Sequence, residues 1–170
     1  MTEKTDSPQE TLVIFAEAVL ALLADKELAY ADPSERAIVH RLAVLLEGKF
    51  PGWSLGVEWN RREDVVKKLA HGATEDDLIR EGTIVPDLIV HRVGKRENLL
   101  VVEVKKSSNK NYAGDIWKLK GMTCQKGDYR YAVGVHLVVD VPASIIRKCD
   151  VYMDATWDEN LSAWIHARLS

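Results

Sequence analysis

Residues 83–106 read Thr-Ile-Val-Pro-Asp-Leu-Ile-Val-His-Arg-Val-Gly-Lys-Arg-Glu-Asn-Leu-Leu-Val-Val-Glu-Val-Lys-Lys, and this stretch decides the fold. Two runs rich in β-branched residues, 83–91 and 98–105, have the composition of strands. The polar segment 92–97 between them carries Gly94, so the pair reads as a hairpin. Asp87 interrupts the first run, and Glu103 and Lys105 close the second. Residues two apart on a strand share a face, so Glu103 and Lys105 point the same way. In a hairpin, Asp87 can meet them. Two carboxylates and an ammonium then converge at one place on a sheet. Acids placed in an apolar strand are costly unless compensated. A divalent cation compensates them, and Mg²⁺ takes only one or two protein carboxylates while keeping bound waters. Such a metal polarises a phosphate and lowers the pKa of water, and a neighbouring lysine stabilises the charge that develops.

The elements on either side extend this picture. Upstream, residues 9–24 form an apolar stretch that reads as one helix, part of an N-terminal helical segment 9–31 behind a disordered tail 1–8. Asp32-Pro33-Ser34-Glu35 is a helix start, with Asp32 as N-cap and proline first in the helix. Ile38, Leu42, Leu45 and Leu46 line one face of that helix, which ends near Gly48. Residues 55–59 alternate like a strand, and 61–81 form a charged excursion with a helix or two. Downstream, 112–120 reads as a helix and 131–139 as a strand buried on both faces. Residues 142–148 read as a short helix, 149–153 as a last short strand, and Asp158 opens a final helix. The order helix, strand, strand, strand, helix, strand predicts an α/β (α+β) protein. It has a single domain over 1–170 with its core at 32–155, and a central mixed sheet of four to five strands flanked by helices.

Composition sets outer limits. The chain has 170 residues, 46% of them hydrophobic, enough for one domain with a real core. Its net charge of −3 excludes a histone-like polycation but not nucleic-acid binding, because local patches decide that. Residues 1–35 hold eight acids and two bases, whereas residues 91–130 hold ten bases and four acids. That basic stretch surrounds the acidic pair, as a phosphate polymer requires. Cys124 and Cys149 lack zinc spacing or close pairing, which argues against a disulfide scaffold and for a reducing compartment. The apolar run 12–24 is shorter than a bilayer span and contains Glu17, and the N-terminus lacks a basic start. A soluble, cytoplasmic protein without membrane contact is the expectation.

Taken together, Pro86-Asp87 followed by Glu103-Val104-Lys105 resembles the PD-(D/E)xK nuclease superfamily, with its restriction-endonuclease-like αβββαβ core. The resemblance spans Ser34 to Asp140. Glu35 stands where this superfamily often carries an acid on its first helix, and residues 98–106 look like its core strand. Asp115 and Lys118-Leu119 resemble polar positions of the next helix, and 131–136 its fourth strand. Glu58-Trp59-Asn60-Arg61 is similar to a stretch of small bacterial members. The resemblance implies a metal-dependent nuclease that hydrolyses phosphodiester bonds of DNA, with RNA as the alternative, by metal-activated water. It makes Asp87 and Glu103 ligands of Mg²⁺ or Mn²⁺, Glu35 an auxiliary acidic ligand, and Lys105 the catalytic lysine. Arg61, Arg62, Lys106 and Lys118 are the candidates for contact with nucleic acid. A homodimer or a protein partner would supply specificity.

Blander roles compete for several of these residues. Glu35 could complete a capping box with Asp32. Asp115 and Lys118, three apart on a helix, could be a solvated pair. The histidines His40, His71, His91, His136 and His166 share no spacing and read as surface or core residues. The function itself has a rival: a catalytically inactive relative that keeps the nuclease fold to bind nucleic acid or a protein partner.

Overall fold

The computed structural model describes residues 7–58, 85–95 and 97–170. The expected excursion 61–81, with Arg61 and Arg62, lies outside the described residues, as do Trp59, Asn60 and the first two residues of the expected strand 83–91. So does the tail except Ser7 and Pro8.

Those two residues start a helix. Ser7 accepts a hydrogen bond from the Glu10 amide at 3.2 Å, and Glu10 reaches back to the Ser7 amide, a capping box that opens α1 (Pro8–Leu23). Leu12, Phe15, Val19 and Leu22 recur at helical spacing and are buried. The expected single segment 9–31 is two helices, because Asp25 caps a new one, α2 (Lys26–Ala31), by accepting from the Glu27 and Leu28 amides. Asp32 is not the N-cap of the next helix. It ends α2 in the left-handed conformation, φ 42°, consistent with proline's bias against helix in the residue before it. Ser34 caps α3 (Glu35–Leu46) instead, so Glu35 is its first residue and cannot close a box with Asp32.

The sheet has six strands in sequence order, one or two more than expected: β1 (Ser54–Val57), β2 (Leu88–Arg92), β3 (Glu97–Lys106), β4 (Val133–Asp140), β5 (Ile145–Met153) and β6 (Thr156–Asp158). All neighbours are antiparallel except β3 and β4, which the crossover helix α4 (Ala113–Thr123) joins in parallel. The sheet is therefore mixed, as expected. The β2–β3 hairpin pairs Leu88 with Val102 and Val90 with Leu100, with a bulge between Val90 and His91. Asp87 precedes β2 rather than lying within a strand.

Residues 142–148, expected as a helix, are a turn and the start of a strand. The Asp140 carboxylate accepts the Ala143 amide and grips Arg147, and Ser144 takes φ 54°. Asp140 then pairs with Ile145, and the β-branched pair Ile145-Ile146 extends as β5. The strand β6 was not expected. It returns over Asp154 and Ala155, both at positive φ (47° and 62°), which is the hairpin geometry usually served by Asn-Gly. Asp158 caps the last helix, α5 (Glu159–Arg168), as expected.

Helices cover both faces. On one, α3 packs on β1 and β3 and α5 on β5, with α1 against both helices. That core holds Leu88, Val90, Leu100, Val102, Val135, Leu137 and Val151 together with the α1 and α3 residues. On the other face α4 lies over a smaller cluster of Ile89, Val101, Leu119, Met122, Tyr131 and Tyr152. Helix α4 comes close to β4 at Gly134, where a Cβ would stand 2.8 Å from Thr123 Cγ2 and 3.3 Å from Leu119 Cδ2. Among the described residues no helix is long and apolar enough to cross a membrane. Cys124 and Cys149 are free thiols, and burial pushes Cys149 up to about 12.

Candidate active site

Strand β3 runs past the beginning of β2. On its other side β4 accompanies it to Lys106, but β2 pairs only as far as Val102. The amides of Val104 and Lys106 face the β2 side, and among the described residues no strand lies opposite them. Two carboxylates take them. Asp87 Oδ2 accepts from Val104 N at 2.8 Å, and Glu35 Oε2 accepts from Lys106 N at 2.8 Å. Asp87 is thereby fixed one step beyond the Leu88–Val102 pair, level with Glu103.

Glu103 is 1% exposed, and its side chain shares a hydrogen bond with Asp87. Burial is the main force on its carboxyl, followed by the charge of Asp87. Together they push it well above the usual carboxylate range although Lys118 pulls the other way. Asp87 is raised as well, by burial, against the Val104 amide and the bond from Glu103. Two acids in one low-dielectric place do not both ionise readily.

Three charged side chains sit above this pair. Lys118 Nζ is 3.0 Å from Glu103 Oε1 and 3.9 Å from Asp115 Oδ1, and Lys105 Nζ is 3.5 Å from Asp115 Oδ2. Burial lowers the Lys118 ammonium, but Glu103, Asp115 and Asp87 outweigh it and its pKa is raised. Burial raises Asp115, but a hydrogen bond from His136 and the two ammonium groups leave it lowered. His136 Nε2 is 3.2 Å from Asp115 Oδ2. A carboxylate only accepts, so Nε2 carries the proton. The ring is fully buried on β4, beside Glu103 in register, and meets the edge of Tyr112 at 5.2 Å between centroids.

Asp87, Glu103, Lys105, Asp115 and Lys118 line a cavity of about 420 Å³, together with Glu35, Arg36 and Glu58. Arg36 and Glu58 pair at 2.7 Å.

The structure thus brings Asp87, Glu103 and Lys105 together as the sequence suggests, and it adds Lys118, whose ammonium pairs with Glu103. Glu35 lines the same cavity, yet its carboxylate is turned to the Lys106 amide. Among the described residues no three His, Cys, Asp or Glu side chains gather as a metal cage. The Lys106 ammonium is held by Asp32, 2.8 Å from its carboxylate and 3.3 Å from its carbonyl. Of the basic stretch 91–130, Lys95, Lys110, Lys120, Lys126 and Arg130 are exposed among the described residues. Sequence reasoning left His136 out. A histidine inside a continuous apolar strand was its only signal, and pairing with Asp115 needs the α4 placement to be seen.

A divalent cation suits the donor set. Asp87 is half-buried and Glu103 fully buried, the two carboxyl groups are held side by side, and Glu103 Oε1 is a buried oxygen that has its ion pair with Lys118 but no hydrogen bond among the described residues. Mg²⁺ commonly takes two protein acids and completes its shell with water. No family model, curated protein or solved structure matches the chain.

Proposed function

We propose that this chain is a metal-dependent nuclease that hydrolyses phosphodiester bonds of DNA. The observation that carries the reading is the meeting of half-buried Asp87 with the buried Glu103, beside Lys105 and Lys118 in one open cavity. A buried acid beside a second acid is costly unless compensated. The order of α3, β1, β2, β3, α4 and β4, with β3 and β4 parallel, is consistent with a restriction-endonuclease-like αβββαβ core.

In this reading Asp87 and Glu103 hold Mg²⁺ or Mn²⁺. When bound, that ion supplies Lewis acidity and a water of lowered pKa. The chain's residues do the rest. The Val104 amide fixes Asp87, so its second oxygen keeps one direction. Lys105 and Lys118 place two positive charges where a phosphodiester group would enter, and they stabilise the charge that builds on its oxygens. Asp115, held by His136, keeps those ammonium groups in place. Water attacks phosphorus directly, and one ester oxygen leaves with a proton. No side chain becomes covalently attached.

The test is cleavage of supercoiled and linear DNA, and of a structured RNA, with Mg²⁺, Mn²⁺ or EDTA. Metal-dependent cutting is expected, and Lys105→Ala should lower it by roughly 10²-fold or more. Undiminished cutting by Lys105→Ala would remove that lysine from the mechanism. A folded protein that binds metal and cuts no polymer would instead favour a catalytically inactive relative that binds nucleic acid or a partner.

A further inference from the structure

We infer that Lys118 is a displaceable counter-ion: its ammonium stands in for the divalent cation at Glu103 and moves to Asp115 when the cation arrives. The inference rests on the metal-site reading above and concerns how that site is loaded.

Lys118 Nζ lies between two carboxylates, 3.0 Å from Glu103 and 3.9 Å from Asp115. A shift of about an ångström exchanges one partner for the other, well within the freedom of a lysine stem. The second seat is fixed. Asp115 is 6% exposed in the first turn of α4 and accepts from the fully buried His136, which Tyr112 contacts edge-on. Asp115 therefore cannot follow the ammonium, and Lys118 can be handed to it. Lys105 already uses the other oxygen of Asp115, leaving Oδ1 for Lys118.

Charge counting supports the exchange. Asp87, Glu103 and Asp115 carry three negative charges when ionised, and Lys105 and Lys118 carry two positive ones. The cluster is then one negative charge in excess. A divalent cation makes it one positive charge in excess, which a phosphodiester neutralises on entry. Without the cation, the Lys118 ammonium between Glu103 and Asp115 keeps the acids from repelling each other. With it, Lys118 loses its reason to stay at Glu103, because like charges only a few ångströms apart repel strongly in such surroundings.

The experiment is calorimetric titration of the full chain with MnCl₂ alone, with folding checked by circular dichroism. Wild type, Lys118→Met, Lys118→Arg, Asp115→Asn and the double variant Lys118→Met/Asp115→Asn are compared. Lys118→Met should bind Mn²⁺ at least about tenfold more tightly than wild type, because no ammonium has to be displaced. Lys118→Arg, which keeps the charge, should stay near wild type. Asp115→Asn should weaken binding in the wild-type background and much less in the Lys118→Met background, since only a displaced ammonium needs the second seat. Equal or weaker binding by Lys118→Met, with wild type binding normally, overturns the exchange and leaves the metal site standing. No binding by wild type overturns the metal site and the exchange together. If Lys118→Met does not fold, Lys118→Gln, whose amide still reaches Glu103, takes its place under the same criteria.

Discussion

Replacing Glu103 by Gln tests the electrostatics of the site without substrate. Burial, and then the charge of Asp87, hold the Glu103 carboxyl well above 4.5 in spite of Lys118. The folded protein thus keeps a proton that the unfolded chain has released. A carboxyl raised on folding contributes stability that is complete below its unfolded value and is lost as pH rises through its folded value. Between the two, the native state binds one proton more than the unfolded state. Stability then falls by as much as about 1.4 kcal/mol per pH unit from this group alone. Glutamine has the shape of the protonated acid and can donate to Asp87 in its place, but it does not titrate. Asp87, also raised by burial, titrates in both proteins and is coupled to Glu103, so the difference between the curves reports the pair. Urea unfolding in EDTA, from about pH 4 to about pH 8, gives the two curves. Wild type should lose stability relative to Glu103→Gln immediately above 4.5, at a slope approaching one proton. Saturating Mg²⁺ should abolish that relative loss for wild type, because the ion takes the place of the proton. Parallel curves in EDTA would refute the claim that Glu103 is held protonated.

Two further substitutions separate support from chemistry. Asp87→Ala leaves the Val104 amide without an acceptor and should cost about 1–3 kcal/mol in chemical unfolding, whereas Asp87→Asn keeps an acceptor and should cost less. Both should lose Mn²⁺ binding by calorimetry, and retained affinity in either would remove Asp87 as a ligand. Gly134→Ala places a methyl group 2.8 Å from Thr123 Cγ2 and should cost roughly 1–3 kcal/mol, read as a lowered Tm. It should also weaken Mn²⁺ binding, because α4 carries Asp115 and Lys118 with it. An unchanged Tm and affinity would show that α4 has room to spare.

The parts of the fold that could be read from the sequence are those where hydrophobic period and local turn chemistry agree. Strands β2, β3 and β4 are nearly continuous apolar runs, and the acids within or beside them stand out because an apolar strand gives them no reason to be there. That contrast also made Asp87, Glu103 and Lys105 legible as a site. Strand β6 was hidden because its two-residue turn is Asp154-Ala155, where alanine takes a left-handed conformation that the usual asparagine-glycine signal does not announce. Pro142 pointed to a helix start, and only the grip of Asp140 on Ala143 and Arg147 shows that it opens a hairpin corner. Asp115, Lys118 and His136 come from two elements whose meeting depends on how closely α4 approaches β4. Gly134 permits that approach, but a glycine in a strand does not say in sequence what it makes room for.

The two orphan amides of β3 explain why structural and chemical readings of the acids do not exclude one another. A parallel neighbour carries β3 beyond the reach of β2, and every such extension leaves amides on the open side that need acceptors. Asp87 and Glu35, from opposite faces of the sheet, supply them to Val104 and Lys106. Glu35 gives its carboxylate to the strand end and holds α3 to β3 there. Asp87 gives one oxygen and keeps the other level with Glu103, which no amide of the described residues serves. The difference between the acids therefore lies in what stands beside them, not in their backbone partners. Of the two, only Asp87 has the buried Glu103 carboxyl alongside and the two ammonium groups above. The same strand end that required an acceptor thus sets a rigid carboxylate beside Glu103, where the proposed cation would meet a pair.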